Sequence, residues 1–300
     1  MREFVLRGLY KIFPFDLRGD CLVPDESDGV ALSCVINFFG RIDLLEGILF
    51  SLAEQNIPRE SFEVLLVEDR GGTEDGRRTA ERFSQVLPIR YLPLDKHYGQ
   101  MGYSRNFALA RSRGRYVLFL DDDTLLCGNY FLSRLIERFE QNPNADALIP
   151  RGYASYSLIS GCYDYHDPYF MTSRCTAYRR SALVGLGGFI SDFIGQEDVE
   201  FVIRFFLAGK RGVICPDLEY RHPPLQVPNF RKPMAVGMSF SGLRKRYSTM
   251  IWLVCILNCS RHAPLFLLPA RRNREMGRFG IGFFLGVVVS LFKKQGFEYT

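Results

Sequence analysis

The sequence predicts an α/β fold: a mostly parallel, Rossmann-type sheet with helices on both faces, followed by a helical C-terminal extension. Three observations lead there. Between residues 30 and 142 short apolar runs alternate with segments of helical period. The apolar runs are continuous rather than alternating, as strands covered on both faces are. From Arg231 onward the chain becomes basic and apolar without strand-like punctuation.

The elements follow in order. "VALSCVINFF" reads as a buried strand. "DLLEGILFSLAEQ" is a helix with Leu44, Leu45, Ile48, Leu49 and Leu52 on one face and Asp43 as its cap. "FEVLLVED" is the second strand, "GTEDGRRTAERFSQVL" a polar helix with Phe83 and Leu87 inward, and "IRYLPL" the third strand. "MGYSRNFALARSR" is a helix stopped by Gly114, "RYVLFLDDD" the fourth strand, and "NYFLSRLIERFEQN" a helix capped by Asn129. After residue 150 the pattern loosens into the aromatic, turn-rich "RGYASYSLISGCYDYHDPYF". "CTAYRRSALVGLGGF" carries a short helix broken by glycines, and "QEDVEFVIRFFLAGK" a helix whose acidic first turn suits the helix dipole. "RGVICPDLEY" is a further strand. The expected organisation is an N-terminal segment (1–29), a main domain (30–228, with halves 30–125 and 126–228) and a basic, apolar helical region (229–300).

Composition narrows the class. With 47% hydrophobic and 24% charged residues the chain has the make-up of a folded protein. Its net charge of +5 is uneven: Arg231 to Thr300 holds 12 Lys or Arg against two acidic residues, a net of +10, which leaves −5 for the remainder. The apolar runs beside those cations favour lipid over nucleic acid as a partner. The eight cysteines show no CxxC pair, and Cys34, Cys215 and Cys255 lie in apolar contexts, as reduced cytoplasmic thiols do. The N-terminal "MREFVLRGLYKIFPFDLRGD" makes a poor secretory signal. It reads as a short amphipathic helix packed on the protein, with Phe4, Val5, Tyr10 and Phe13 opposite Arg2, Arg7 and Lys11.

"TMIWLVCILNCSRHAPLFLLPA" and "FGIGFFLGVVVSLF" are the two long apolar stretches. The first is interrupted by Arg261, His262 and Pro264, and the second has 14 residues, against roughly 20 needed to span a bilayer. Gly282, Gly286 and Ser290 recur every four residues, a face that permits close helix packing. Two readings stand: peripheral attachment at the inner face of the membrane, and a helical layer packed on the main domain.

The chemistry gathers at strand ends. In open α/β sheets ligands bind outside the carboxyl ends of the strands. Asn37 ends the first strand, Glu68 and Asp69 the second, and Asp121, Asp122 and Asp123 the fourth. Alternation sends Asp121 and Asp123 to one side and Asp122 to the other. Two same-side carboxylates suit Mn2+ or Mg2+ bridging to a diphosphate. Alone, three aspartates are as readily a solvated loop; the buried strand before them and the other acidic strand ends decide for a ligand. In "GQEDVEF" a carboxylate at a helix start is placed to act as general base, or simply to cap. The glycines of "GLGGF" let backbone approach a ligand or make a tight turn. His222 in "HPP" follows the last strand, within reach of a phosphate or metal.

In this order the pieces resemble the inverting glycosyltransferases of family two, which have the GT-A fold. The blocks that carry it are "LSCVINFFGRIDLLEGILFSLAEQ", "FEVLLVEDRGGTED", "GYSRNFALARSRGRYVLFLDDD" and "GLGGFISDFIGQEDVEFVIRFFLAGKRGVICPD". The resemblance covers residues 30 to 225. It implies transfer of a sugar from a nucleoside-diphosphate donor, a UDP-sugar by preference, to a hydroxyl of a cell-surface glycan or glycolipid acceptor. It implies that Asp121 and Asp123 form the Asp-x-Asp motif, with Asp123, Asp121 and His222 holding the cation. Asn37, Phe39, Glu68, Asp69, Arg105, Asp121 and Asp122 are then the expected nucleotide contacts, with Asn106 beside them. Asp198 is the expected catalytic base, with Glu197 next to it. The loop after Tyr163 and the segment "PNFRKPM" become candidates for the acceptor side and a lid. One departure is clear: where the family carries Pro-Thr-Tyr-Asn, this chain has Asn37, Phe38, Phe39 and Gly40. The rival readings are a nucleotidyltransferase, for which "NFFGRIDLL" is a poor phosphate loop, and a non-catalytic binding scaffold.

Overall fold

The computed structural model describes residues 3–25, 29–154, 169–223 and 227–292. The loop after Tyr163 and Pro224 of "HPP" lie outside them. Helix α1 (Glu3–Ile12) is followed by alternating β1 (Leu32–Phe38), α2 (Ile42–Ala53), β2 (Phe62–Glu68), α3 (Glu74–Phe83), β3 (Ile89–Pro93), α4 (Met101–Leu109) and β4 (Tyr116–Asp121). Then come β5 (Leu125–Leu126), α5 (Phe131–Gln141), β6 (Ala147–Ala154), β7 (Cys175–Arg179), α6 (Arg180–Gly185), α7 (Glu197–Leu207) and β8 (Gly212–His222). Helices α8 (Arg231–Gly242), α9 (Thr249–Ser260) and α10 (Arg271–Phe292) complete the chain.

The eight strands form one mixed sheet in the order β3-β2-β1-β4-β7-β6-β8-β5. The first four are parallel; β7 runs antiparallel to both β4 and β6. Alternation along the strands splits the core. Cys34, Ile36 and Leu66 meet α2, α3 and α5 on one face, while Val35, Leu65 and Phe119 meet α4 and α7 on the other. Both faces are therefore covered, which is why apolar residues fall on both sides of these strands rather than on one.

Local details depart from expectation in instructive ways. Helix α2 is preceded by Arg41, not capped by Asp43, and α5 by Tyr130, not Asn129. In α1 the buried residue is Leu6, while Phe4 and Val5 point outward. The N-terminal segment is integral: Leu17 and Cys21 join the second core, and Gly19 and Cys21 donate to the carbonyls of Leu186 and Gly187. Gly187 and Gly188 both have positive φ. A Cβ on Gly188 would lie 2.6 Å from Asn106 Oδ1 and 2.7 Å from Cys21 Cβ. The "GLGGF" glycines thus admit neighbouring chain, in a tight turn. The segment "PNFRKPM" leads into α8, with Pro233 buried.

The C-terminal helices build a third core around Phe240, Ile251, Trp252 and Phe283. Helix α10 crosses α8 at close range. A Cβ on Gly286 would meet Met234 O at 2.0 Å, and one on Gly237 would meet Phe283 O at 2.0 Å.

Candidate active site

Sheet register assembles the site. Asn37 is aligned with Asp121, and Phe38 with Glu68, so the ends of β1, β2 and β4 lie side by side. β4 ends at Asp121, and Asp122 and Asp123 form the turn into β5. That turn is fixed by the Thr124 amide on Asp121 O (3.1 Å) and the Thr124 hydroxyl on Arg174 O (2.8 Å). Short β5 then pairs antiparallel with β8, Leu125 opposite Arg221. That pairing carries His222, the next residue of β8, to the aspartate turn. His222 Nε2 lies 3.0 Å from Asp123 Oδ1 and 3.4 Å from Asp121 Oδ2.

Asp121, Asp123 and His222 each present a ligand atom, and these atoms all lie within 4.8 Å of one another. Two carboxylate oxygens and an imidazole nitrogen are a donor set that fits a divalent ion, and the nitrogen suits Mn2+ better than Mg2+. Burial works against the His222 imidazolium, yet the two carboxylates hold its pKa up to about 9. Burial works in the other sense on Asp121, where His222 and Arg105 prevail and its carboxyl is held well below the usual range.

Asp122 turns away from this trio to Arg41, which contacts it with Nη2 and with Nε at 3.2 Å. Arg41 Nη1 also reaches Asp123 Oδ2 at 2.9 Å. Burial, aided by the neighbouring aspartates, pushes the Asp122 carboxyl up to about 7 against the pull of Arg41.

Arg105 on α4 is buried between β4 and α7. One end of its guanidinium binds Glu197, and Nη2 donates to Asp121 at 3.0 Å. Glu197 is buried in that pair, and desolvation raises its pKa although Arg105 opposes the shift. Asp198, the next residue, is half-buried, and its Oδ2 accepts the Ser173 amide at 3.1 Å. Of the three α7 carboxylates, Asp198 is the one with access to solvent; Glu197 and Glu200 are buried.

The acidic pair after β2 shapes two loops. Glu68, fully buried, accepts the Thr73 amide (3.0 Å) and hydroxyl (2.7 Å) and the Tyr91 hydroxyl. It therefore orders the start of α3. Asp69 accepts the amides of Tyr98 (2.8 Å) and Gly99 (2.9 Å), which fixes the approach to α4. Asn106 clamps the loop after α6 through Phe189 N, Phe189 O and Ser191 Oγ. Phe39, 48% exposed, stacks on His97 at 4.0 Å with Arg70 on its ring at 4.5 Å. Asn37 is 6% exposed, and neither amide atom finds a partner among the described residues. A buried amide left unpaired is costly.

Arg41, Ser173, Arg70 and His97 are the site residues that sequence reasoning missed. Arg41 carried one signal, a basic residue in the loop after β1; the others carried none.

The Glycosyl transferase family 2 model matches residues 33–185, just over half of the chain. The protein belongs to this family. Among relatives of the family, the O-antigen chain rhamnosyltransferase WbaN of Salmonella anatum is 26% identical over 179 residues, 53% of this chain and 56% of WbaN. The poly(ribitol-phosphate) β-N-acetylglucosaminyltransferase TarS of Staphylococcus aureus is 31% identical over 91 residues, 30% of this chain and 16% of TarS. The chain thus spans only part of the curated relatives it matches. The fold is shared with solved glycosyltransferases. Mannosyltransferase PcManGT of Pyrobaculum calidifontis, in complex with GDP-Man and Mn2+, superposes with a TM-score of 0.61 at 15% identity over 98% of this chain and 96% of that one. TarS 1–349 in complex with UDP-GlcNAc superposes with a TM-score of 0.57 at 18% identity over 86% of this chain and 82% of that one.

Proposed function

We propose that this family 2 member transfers a sugar, with inversion, from a nucleoside-diphosphate donor to an acceptor hydroxyl in cell-surface polysaccharide or glycolipid synthesis. The observation that carries the reading is the Asp121–Asp123–His222 group at the strand ends, within one network of Arg105, Glu197 and the α7 terminus. PcManGT holds GDP-Man with Mn2+ and TarS holds UDP-GlcNAc, which supports a nucleotide sugar as donor. UDP is the nucleotide we infer, with Asn37 and Phe39 as the wall against its uracil.

Each residue then has a task. Asp121, Asp123 and His222 hold a divalent cation, which when bound stabilises the negative charge that develops on the departing diphosphate. Asn37 offers a buried amide with unmet hydrogen-bonding capacity, and exposed Phe39 offers a ring face to the base. Arg105 fixes Glu197 and Asp121 relative to one another, so the donor and acceptor sides keep their spacing. Asp198 accepts the proton of the attacking hydroxyl. One carboxylate base suffices for single displacement. Glu68, Asp69 and Asp122 act by ordering the loops and the arginine around the nucleotide. A turnover assay with a panel of nucleotide sugars and Mn2+ tests the reading. Release of nucleoside diphosphate is expected; release of pyrophosphate would favour a nucleotidyltransferase, and binding without turnover a scaffold.

We also infer peripheral attachment at the cytoplasmic face of a membrane. Two helices, Thr249–Leu267 and Arg271–Phe292, are long and apolar enough to cross a bilayer, and only 22% and 33% of their most apolar windows are buried. One face of each packs on protein: Ile251, Trp252 and Cys255 of α9, and Phe283 and Val287 of α10. The other faces expose Met250, Leu253 and Leu257, and Phe284, Leu285 and Leu291. Arg261, Arg271, Arg272 and Arg274 flank them, exposed. An apolar stripe between cations suits an interfacial position on anionic lipid. Co-flotation with phosphatidylglycerol vesicles, lost in Leu253→Glu/Leu257→Glu, is the expected result; equal flotation of that variant would contradict it.

A further inference from the structure

The loop between β1 and α2 holds a cation of its own against the aspartate turn. Gly40 and Arg41 are consecutive residues in the left-handed region, with φ of 64° and 48°. For arginine this conformation is costly and persists only where surrounding contacts enforce it. The backbone is held by the Leu44 and Leu45 amides on Arg41 O (3.1 and 3.0 Å), and the side chain by the carboxylates. The Arg41 guanidinium forks onto Asp122 and reaches Asp123 Oδ2 at 2.9 Å, while the other oxygen of Asp123 faces His222 at 3.0 Å. Asp122 is buried and Asp123 half-buried, but the Arg41 side chain is 50% exposed. All three guanidinium nitrogens are thus tied to the aspartates, while half of the side chain stays exposed at the strand ends, where a stronger anion can compete for it. It stands at the N-terminus of α2, where the helix dipole also favours an anion. Asn37, buried at the end of β1 and aligned with Asp121, has no partner for its amide among the described residues, so hydrogen-bonding capacity is left unmet at the same strand ends.

This arrangement carries a consequence for the order of binding. With Arg41 on Asp122 and Asp123, part of the negative charge that attracts a divalent ion is already neutralised. A diphosphate laid across the strand ends offers the planar guanidinium a bidentate partner of higher charge. As Arg41 turns to it, Asp123 regains its full charge for the cation. We propose that Arg41 couples cation binding to donor binding: it weakens the hold of the free protein on a divalent ion and strengthens the hold of the ion-loaded protein on the nucleoside diphosphate. The proposal rests on the cation-and-donor reading above and adds to it a residue that touches both.

The test is a linkage measurement that needs no turnover. Mn2+ affinity is measured by electron paramagnetic resonance, with and without saturating UDP, for the unaltered protein, Arg41→Ala and Arg41→Lys; thermal melting checks that each variant folds. In the unaltered protein UDP tightens Mn2+ binding. In Arg41→Ala, Mn2+ alone binds more tightly, UDP binds more weakly, and the factor by which UDP tightens Mn2+ falls about five-fold or more, the lower range of measured couplings. Arg41→Lys, which keeps the charge but not the fork, falls between them, and it carries the test if Arg41→Ala does not fold. Weaker Mn2+ binding in both variants, with the UDP effect intact, would mean that Arg41 only orients Asp123, and would overturn the proposal. So would unchanged affinities. If the unaltered protein binds neither Mn2+ nor any nucleoside diphosphate, the functional reading itself fails.

Discussion

Two buried arginine–glutamate pairs have their glutamates one turn apart on α7, and they differ in how completely their partners are matched. Arg204 and Glu200 are both fully buried. All five N–H donors of Arg204 are taken: two by Glu200 (2.7 and 2.8 Å) and three by the carbonyls of Leu17, Leu186 and Gly188. Glu200 also accepts the Tyr247 hydroxyl at 2.5 Å. That network joins the N-terminal segment, the loop after α6, α7 and the C-terminal layer, and it is closed. Arg105 and Glu197 belong to a network that runs outward to Asp121, His222, Asp123 and Arg41, next to an amide with no partner at Asn37. A closed network holds a fold together, whereas an open one has capacity left for a ligand. On the proposed function, the same residue types thus serve stability at Glu200 and chemistry around Glu197.

Substitutions in the two networks should separate accordingly. The largest effect is expected at Asp123→Ala, which removes a ligand atom from the open network: transfer falls below detection and Mn2+ binding is lost, while the protein still melts cooperatively. Transfer by that variant in the presence of a chelator would remove the cation from the account. Asp198→Asn keeps the shape and the Ser173 contact but cannot accept a proton. Turnover should fall by about 10² to 10⁴, with donor affinity, read by calorimetry, unchanged. Near-normal turnover would move the base elsewhere. Arg204→Met opens the closed network and strands Glu200 in the core, at a cost of about 3–5 kcal/mol. Denaturant melts would register that loss, and turnover per folded molecule should stay within two-fold, on the order of 0.4 kcal/mol. The smallest effect is expected at Asn37→Ala. Its amide makes no hydrogen bond among the described residues, so melting hardly changes, while donor affinity drops by about 1 kcal/mol, one hydrogen bond. A large loss of stability there would mean that the amide serves the fold.

The parallel half of the sheet was legible because its strands are buried on both faces and so carry unbroken apolar runs; β1, β2 and β4 end within a residue or two of where "VINFF", "LLVED" and "LFLDDD" suggest. Of the second half, β8 was legible in "RGVICPDLEY", but β6 and β7 were not. β6 contains Pro150 and Gly152 and shifts register between Pro150 and Arg151, and β7 is five residues ending in arginine, so neither has a strand-like pattern. Caps were misread at Asp43 and Asn129, where the first-turn geometry follows Arg41 and Tyr130. The carboxylates of the site could be found because strand ends are places where polar groups need a reason. Arg41 could not be, since its partners lie 81 and 82 residues away in sequence. Nor could Ser173, whose backbone amide, not its side chain, holds Asp198. Contacts of that kind are written in register and turn geometry, not in residue type.

The central claim is that the open network at the strand ends is completed by a divalent ion and a nucleoside diphosphate. Anomalous diffraction at the manganese edge, from crystals soaked with Mn2+ and UDP, tests it most directly. The account predicts one strong peak ligated by Asp121, Asp123 and His222 and bridged to the diphosphate. Bound UDP with no manganese at that trio, and Asp123 still tied to Arg41 and His222, would contradict it.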